Sequence, residues 1–250
     1  MNGKLAIISG FSGAGKGTVI RKLMQEQGGY VLSVSMTTRS PRDNETDGVE
    51  YHFVSNEEFE NLIRQNGFLE HAGYVDHYYG TPRAFVEENL QAGRDVLLEI
   101  EVQGAMQIRE KFPDVIMVFV APPDAVELER RLIKRGTDSP ETVTKRLRQA
   151  LTEVEQIREY TYLVINEKED VCAGALNGII RAGRIPTQGA IRSSEKKSVV
   201  KSSEKETVSA DGAISGEFCS AHGIITDPEK KKAFAAGFKA GLEEILERRG

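Results

Sequence analysis

The feature that most constrains the fold is a glycine-rich segment near the start of the chain, Gly10-Phe11-Ser12-Gly13-Ala14-Gly15-Lys16-Gly17-Thr18. It follows a short apolar run and precedes a helical pattern. Its glycines allow the backbone to turn so that successive N–H groups point at one anion, and the N-terminus of the next helix adds partial positive charge. This order of strand, loop and helix is typical of a loop that binds nucleotide phosphates, the alternative being an ordinary glycine-rich turn.

Two side chains of this loop indicate how it would hold a nucleotide. Lys16 is placed to reach the β- and γ-phosphates. Gly17 stands where many such loops carry the Ser or Thr that binds magnesium, and Thr18, one residue later, can bond a phosphate oxygen instead. The Gly17-Thr18 pair is similar to that of nucleoside-monophosphate kinases, in which magnesium is held largely by phosphates and waters.

Apolar runs alternate with helical patterns through the first three quarters of the chain. Such alternation predicts a parallel sheet covered on both faces. Together with the glycine-rich loop, this order of elements resembles the three-layer α/β fold of the P-loop NTPases. The region from Val49 to Tyr79 is more polar and aromatic, which predicts a small excursion of mixed strands, with a capping box at Ser55–Glu58. The predicted strands are Leu5–Ile8, Val31–Val34, Val96–Ile100, Val115–Val120 and Tyr162–Ile165, and the predicted helices are roughly 16–27, 56–66, 82–92, 124–135 and 140–158.

Composition excludes several classes of protein. The net charge of −5 argues against a general nucleic-acid binder, and the apolar runs fall short of the ~18 residues that span a bilayer, so no membrane partner is expected. Cys172 and Cys219 cannot form a disulfide framework, and no metal-ligand spacing surrounds them. These features predict a cytoplasmic protein.

A second cluster lies in Ser35-Met36-Thr37-Thr38-Arg39-Ser40-Pro41-Arg42. Arg39 and Arg42 flank a proline and would make a rigid fork that holds one phosphate through charge-assisted hydrogen bonds. A solvated basic loop is the alternative interpretation.

Taken together, these segments resemble the guanylate kinase family. The resemblance covers about residues 3–183 and implies a phosphate-loop core, a GMP-binding subdomain at about 36–82 and a lid with flanking helices at about 124–158. The segments that match in order are Gly10–Thr18, Ser35–Arg42, Gly48–Val54, Phe68–Glu70, Tyr78–Pro82, Leu98–Gly104, Ala121–Pro123, Arg135–Thr137 and Val164–Asn166.

The resemblance implies residues that bind GMP. Arg39, Arg42, Tyr51 and Tyr79 would hold its phosphate, and Ser35, Glu70 and Thr81 would read its guanine. A carboxylate suits guanine because it can accept hydrogen bonds from the N1 and N2 donors together, whereas adenine presents an acceptor at N1. The alternatives are core tyrosines with satisfied hydroxyls, a surface acid at Glu70, and a Thr81 whose hydroxyl caps the helix after Pro82.

The resemblance also implies residues that bind ATP and act in transfer. Arg135 and Arg146 match lid arginines, with Arg148 a weaker third, and the implied catalytic set is Lys16, Arg39, Arg135 and Arg146. Glu99 and Glu101 stand where the family usually has aspartates near the metal and GMP, which makes them candidates to approach Mg²⁺ through water, with Glu101 also near GMP. The residues implied to bind ATP are Gly10, Ser12, Gly13, Ala14, Gly15, Lys16, Gly17, Thr18 and Asn166.

The implied reaction transfers a phosphoryl group from MgATP to GMP or dGMP, in purine nucleotide metabolism. It needs no general base, because the acceptor is already an anionic phosphate. A kinase for another small phosphate, such as a ribose bisphosphate, and a non-catalytic domain that binds phosphopeptides are the competing interpretations. The first would lack the guanine-reading residues, and the second typically lacks a working phosphate loop.

The predicted guanylate-kinase-like domain is residues 1–184, and the end of the chain lies outside the resemblance. Residues 185–226, rich in Ser, Lys and Glu, are predicted to be a disordered linker. Residues 227–249 are predicted to be an amphipathic helix that docks on the core, self-associates or binds a partner, or has no role. A chain ending at Gly183 is accordingly expected to fold and to remain active.

Overall fold

The computed structural model describes residues 3–42, 45–74, 76–136, 138–183 and 214–249. The chain divides into two compact units, Met1–Ser9 with Gly28–Met117 and Gly10–Gln27 with Val118–Gly250. In chain order the elements are β1 (Leu5–Gly10), α1 (Lys16–Glu26), β2 (Tyr30–Ser33), β3 (Met36–Thr37), β4 (His52–Phe53), α2 (Asn56–Arg64), β5 (Phe68–Tyr74), β6 (His77–Pro82), α3 (Arg83–Gln91), β7 (Asp95–Glu99), α4 (Val102–Lys111), β8 (Ile116–Ala121), α5 (Ala125–Lys134), α6 (Pro140–Val154), the 3₁₀ turn Ile157–Glu159, β9 (Tyr162–Ile165), α7 (Glu169–Ala182), α8 (Gly216–Ala221), β10 (Ile224–Ile225) and α9 (Pro228–Arg249).

Parallel strands form one layer of the first unit. Strand β7 pairs with β1 and β2, with Ile7 opposite Leu98 and Leu32 opposite Leu97. The side chains of β1 from Leu5 to Ile8 are all buried, as expected for a strand covered on both faces. The strand is apolar at every position because neither of its faces meets water.

A second sheet of the first unit has the strand order β4-β3-β6-β5. Strands β5 and β6 are antiparallel, and their register shifts between Phe68 and Glu70. The preceding helix α2 begins with the predicted capping box, in which the Ser55 hydroxyl accepts from the Glu58 backbone and the Glu58 carboxylate accepts from the Ser55 backbone. The excursion of mixed strands predicted for this region is present, because β3 pairs in parallel with β4 and antiparallel to β6.

The second unit also contains parallel strands and helices. Strand β8 pairs in parallel with β9, and β10 pairs antiparallel to β9. Helix α1 packs against α7, and α9 packs against α5 and α6. Apolar side chains from α9 thus join the core of this unit.

The observed elements differ from the predictions in four places. The helix predicted over 140–158 ends at Val154 and is followed by a 3₁₀ turn. Helices α4 and α7 were not among the predicted elements. The prediction of a linker is wrong for residues 215–225, which contain α8 and β10, because the Ser215 hydroxyl caps α8 and β10 pairs with β9. Residues 184–213 of that predicted linker lie outside the described part of the chain.

Candidate active site

The Gly10–Thr18 segment forms a tight loop between β1 and α1, as predicted. Gly13 and Gly15 both have φ of 92°, in the left-handed region that glycine adopts without strain. The Ala14 N–H donates to the Phe11 carbonyl at 3.0 Å. Lys16 Nζ lies back across the loop and donates to the carbonyls of Gly10 at 2.7 Å and Phe11 at 3.2 Å. These two hydrogen bonds therefore hold the Lys16 ammonium group close to the backbone of its own loop.

Two side chains outside the loop support its backbone. Asn166 is 2% exposed and donates from Nδ2 to the Ala14 carbonyl at 2.7 Å. Arg131 on α5 donates to the carbonyls of Ala14 at 3.2 Å and Asn166 at 2.8 Å. The predicted contact of Asn166 with the adenine of ATP stays a prediction. Arg131 was not predicted, because its only signal in the sequence is its place on a charged helix.

Of the predicted lid arginines, the structure brings Arg146 to the loop. Arg146 Nη1 donates to Ser12 Oγ at 2.7 Å, and Nη2 pairs with Asp138 at 3.0 Å. Arg135 follows the last residue of α5 and is exposed, and Arg148 is exposed on α6. Asp138, which orients Arg146, was not anticipated from the sequence.

In the first unit, the predicted arginine fork surrounds a carboxylate. Glu45 pairs with Arg39 at 2.8 Å and with Arg42 at 3.8 Å, and the Arg39 side chain is 14% exposed against 68% for Arg42. Burial would raise the pKa of Glu45, but the Arg42 N–H and the Arg39 guanidinium bond to the carboxylate and lower it overall. Arg39 is therefore positioned by an ionised Glu45. This partner was not predicted, although it stands only three residues after Arg42 in the sequence.

The tyrosines assigned to the same phosphate lie beside Arg39. The Arg39 guanidinium carbon is 5.6 Å from the centroid of the Tyr51 ring, and the Tyr51 and Tyr79 rings meet edge to face at 5.8 Å. Arg39 also hydrogen-bonds Tyr79. Burial, followed by the nearby Tyr79 and Glu99 groups, raises the pKa of Tyr51. Its hydroxyl therefore stays protonated and can donate to an anion.

Glu70 is a buried carboxylate in β5, so the interpretation as a surface acid is wrong. Glu70 is 5% exposed, and the Thr81 hydroxyl donates to its Oε1 at 2.6 Å. The irregular register between Phe68 and Glu70 places Glu70 opposite Thr81. The alternative role of Thr81 as a helix cap is also wrong, because Pro82 precedes α3 and no side chain caps that helix. Burial raises the pKa of Glu70, opposed by the Thr81 bonds and the Lys111 charge.

Gly104 on α4 leaves the space that this carboxylate occupies. A Cβ at Gly104 would lie 2.3 Å from Glu70 Oε2 and 2.7 Å from its carboxyl carbon. Any larger residue there would have to displace Glu70. Gly104 lies in the segment Leu98–Gly104 that carries the family resemblance, but nothing in the sequence indicates this function.

The remaining predicted residues lie at strand ends in the first unit. Ser35 is half-buried between β2 and β3, and its carbonyl accepts from the His52 N–H at 2.9 Å. Glu99 ends β7, Glu101 precedes α4, and both are exposed. Within the described ranges, no three His, Cys, Asp or Glu side chains form a group that could hold a metal ion by themselves.

The comparisons with known proteins agree on one family. The family model described as guanylate kinase matches residues 2–183. The guanylate kinase of Lactiplantibacillus plantarum is 49% identical over 183 residues, which are 73% of this chain and 89% of that protein. The guanylate kinase of Latilactobacillus sakei is 53% identical over 167 residues, 66% of this chain and 82% of that one. This chain belongs to the guanylate kinase family.

A solved structure gives the same result for the fold. The crystal structure of guanylate kinase from Anaplasma phagocytophilum matches with a TM-score of 0.62 and 33% identity, over 74% of this chain and 88% of that chain. The prediction of a P-loop α/β fold is confirmed. As a guanylate kinase, the chain is a nucleoside-monophosphate kinase that phosphorylates GMP with ATP. No helix in the described ranges is both long enough and apolar enough to cross a membrane.

Proposed function

We propose that the Gly10–Thr18 loop binds the phosphates of ATP, and that the side chains around Arg39 and Glu70 bind GMP. In the first unit, Arg39 and Arg42 supply positive charge, and the hydroxyls of Tyr51 and Tyr79 supply donors for the GMP phosphate. The phosphate would replace Glu45 in part of its pairing with Arg39 and Arg42, because a phosphate dianion carries more negative charge than a carboxylate. A dianion between two guanidinium groups is stabilised by charge-assisted hydrogen bonds.

The observation that carries the assignment of the base is the buried Glu70. Thr81 occupies one side of Oε1 at 2.6 Å, and Gly104 leaves room at Oε2. A carboxylate held in this way can accept from N1–H and N2–H of guanine, and it would face an unprotonated N1 of adenine. Selection therefore comes from a penalty for the wrong base as well as from a gain for the right one.

In phosphoryl transfer the protein would position the two substrates and neutralise the charge of their phosphates, because the reaction requires little covalent chemistry from side chains. Lys16 and the loop N–H groups would neutralise the oxygens of the ATP phosphates. Arg146, fixed by Asp138 at 3.0 Å, and the exposed Arg135 would contribute further positive charge. The attacking group is a phosphate oxygen of GMP, so no residue is needed to remove its proton.

Magnesium is part of the proposal. Glu99 and Glu101 offer exposed carboxylate oxygens, the ligand type that Mg²⁺ prefers, directly or through water. Their charges reach Tyr51, since both contribute to raising its pKa. Because no described cluster could hold a metal by itself, we propose that the phosphates and waters complete its coordination. When bound, Mg²⁺ would neutralise part of the negative charge of these phosphates.

Further details of the proposal concern substrate and setting. The assigned residues address the base and the phosphate, and none addresses the 2′-hydroxyl, so we propose dGMP as a second acceptor. Both cysteines are free thiols, Cys172 buried and Cys219 half-buried. Free thiols suit a reducing compartment, and we propose that the enzyme works in the cytoplasm in purine nucleotide metabolism.

The variant Glu70→Gln tests the proposed guanine site. It keeps the shape of the side chain but replaces one acceptor with an amide donor, so the charge-assisted part of the interaction is lost. We expect kcat/KM for GMP to fall about 10–200-fold, the equivalent of ~1.5–3 kcal/mol, with the KM for ATP little changed. Steady-state kinetics with GMP and AMP measure both effects. Parent-like kinetics on GMP would mean that Glu70 does not read the base.

A glycine substitution tests the same site from the neighbouring helix. In Gly104→Ala the new methyl group would lie 2.3 Å from Glu70 Oε2, so the carboxylate must leave the position in which it accepts from Thr81. We expect the KM for GMP to rise at least about tenfold, equivalent to the ~1.4 kcal/mol of one disturbed hydrogen bond to a charged group, while the KM for ATP stays unchanged.

A matched control separates this effect from that of alanine in a helix. A methyl group at Gly237 on α9 would enter open space, so Gly237→Ala should leave both KM values at parent levels. Alanine is also the better helix former at both sites. An unchanged KM for GMP in Gly104→Ala would show that the Glu70 carboxylate does not depend on this space.

A further inference from the structure

The C-terminal segment Ile214–Arg249 lies beyond the residues 2–183 that match the family, yet its last helix is part of the core of the second unit. Phe238, Leu242 and Ile245 on α9 are 3%, 0% and 1% exposed. They recur on one face of the helix, which packs against α5, α6 and the 3₁₀ turn. The segment is therefore an integral element of this unit.

One of these side chains reaches the phosphate loop. Phe11, the second residue of the loop, is fully buried, and its ring stacks on Phe238 with centroids 4.6 Å apart and planes inclined by 14°. On another side Phe11 meets Phe119 edge to face at 5.0 Å. Both contacts fix the ring, and a stacked aromatic pair contributes about 0.5–1.5 kcal/mol beyond its buried area.

The backbone of Phe11 is joined to the part of the loop that holds phosphate. Its carbonyl accepts from Lys16 Nζ at 3.2 Å and from the Ala14 N–H at 3.0 Å. A shift of the Phe11 ring would therefore move the carbonyl that orients Lys16 and closes the turn. The position of the ring and the position of the lysine are coupled through one residue.

Helix α9 is held firmly enough to act as a support. Lys231 near its start is buried and donates to the Tyr160 carbonyl at 2.6 Å. Arg249 at its end pairs with Glu129 of α5 at 2.6 Å, with both side chains only about one-fifth exposed. Between them, a Cβ at Gly241 would lie 3.0 Å from that of Ala125, which shows a close approach of the two helices.

We propose that Phe238 is a positioning residue for ATP, which acts through Phe11 to hold Lys16 and the phosphate loop in the binding geometry. The extension beyond the family core thus contributes to the nucleotide site without touching the nucleotide. The inference rests on the proposed binding of ATP by the Gly10–Thr18 loop. If that loop did not bind ATP, Lys16→Ala would leave kcat unchanged, so the two failures are distinguishable.

The test compares Phe238→Ala with a control on the same helix, Ile245→Ala. Ile245 is as buried as Phe238 but lies seven residues later, about 10 Å further along the helix axis. Both variants should lower Tm, because each removes a buried side chain. Only Phe238→Ala should raise the KM for ATP, by about tenfold, with the KM for GMP within twofold of the parent value. Phe238→Leu should give an intermediate KM for ATP.

The outcomes decide the proposal. An equal KM for ATP in Phe238→Ala and Ile245→Ala, with both Tm values lowered, would overturn it and leave α9 a purely structural element. If Phe238→Ala cannot be recovered folded, Phe238→Leu carries the comparison with Ile245→Ala. A KM for ATP at least about twice that of the control then supports the proposal, and a value equal to the control overturns it.

Discussion

Lys16→Ala is expected to lower kcat by about 10³-fold, the size of effect seen when one preorganised donor to a transition state is removed. Lys16 Nζ is fixed by the Gly10 and Phe11 carbonyls at 2.7 Å and 3.2 Å, so its charge is held at the loop before any nucleotide binds. An ammonium has three N–H donors, which leaves one for a phosphate oxygen. Steady-state kinetics with saturating ATP and GMP measure the loss.

The fold should survive this substitution, since Lys16 is only half-buried and makes hydrogen bonds to its own loop. Lys22→Ala is a matched control, because Lys22 lies on the same helix α1 and forms ion pairs with Glu26 and Asp170. Its kcat should remain at the parent level, because ion pairs with exposed acidic partners contribute little and these do not touch the loop. A kcat for Lys16→Ala within about threefold of the control would contradict the assignment of this loop to phosphoryl transfer.

A chain that ends at Gly183 is expected to lose most of its soluble yield, or to melt at least about 10 °C lower than the full chain. This reverses the expectation from the sequence alone, which treated residues 185–250 as dispensable. Truncation would remove the side chains of Phe238, Leu242 and Ile245 from the core and uncover Phe11. It would also remove β10 from the edge of β9.

The magnitude follows from the buried side chains. Each large apolar side chain that is fully buried contributes about 1.5–3 kcal/mol, so three contribute roughly 5–9 kcal/mol. The free energy of unfolding of a whole domain is only about 5–15 kcal/mol. For a chain of this size, 1 kcal/mol changes Tm by about 2–4 °C. Sedimentation of the expressed protein and a thermal melt of the soluble fraction provide the measurement.

A peptide of residues 214–250 added to the truncated chain is the control. If the packed helix rather than the covalent connection matters, the peptide should raise the Tm of the truncated chain towards the parent value, as any ligand of the folded state does. A truncated chain that stays soluble, melts within about 2 °C of the parent and keeps its activity would contradict the packing described for α9.

The sequence by itself determined the class of fold and the chemical types in the site. The glycines and lysine of Gly10–Thr18 are local to one turn, and glycine at positions 13 and 15 permits the left-handed backbone found there without strain. Buried strands such as Leu5–Ile8 were predictable because continuous apolar runs are read over a few neighbouring residues. The capping box at Ser55 and Glu58 likewise joins residues three apart.

Only the tertiary structure decided which distant side chains meet. Glu70 is buried because an irregular strand pairing places it opposite Thr81 and a glycine on α4 leaves it space. Neither condition is visible in the residues around Glu70. For the same reason the hydrogen bond from the Asn166 amide to the Ala14 carbonyl, 152 positions earlier in the chain, could not be predicted from the residues around Asn166.

The C-terminal helix shows the same division most clearly. Its apolar spacing predicted a helix, since periodicity is a property of neighbouring residues. What the apolar face packs against depends on the shape of a surface built from α5, α6 and the phosphate loop, far away in the sequence. A side chain's own neighbours in the chain specify its backbone conformation, whereas its burial is specified by contacts between segments that only folding brings together.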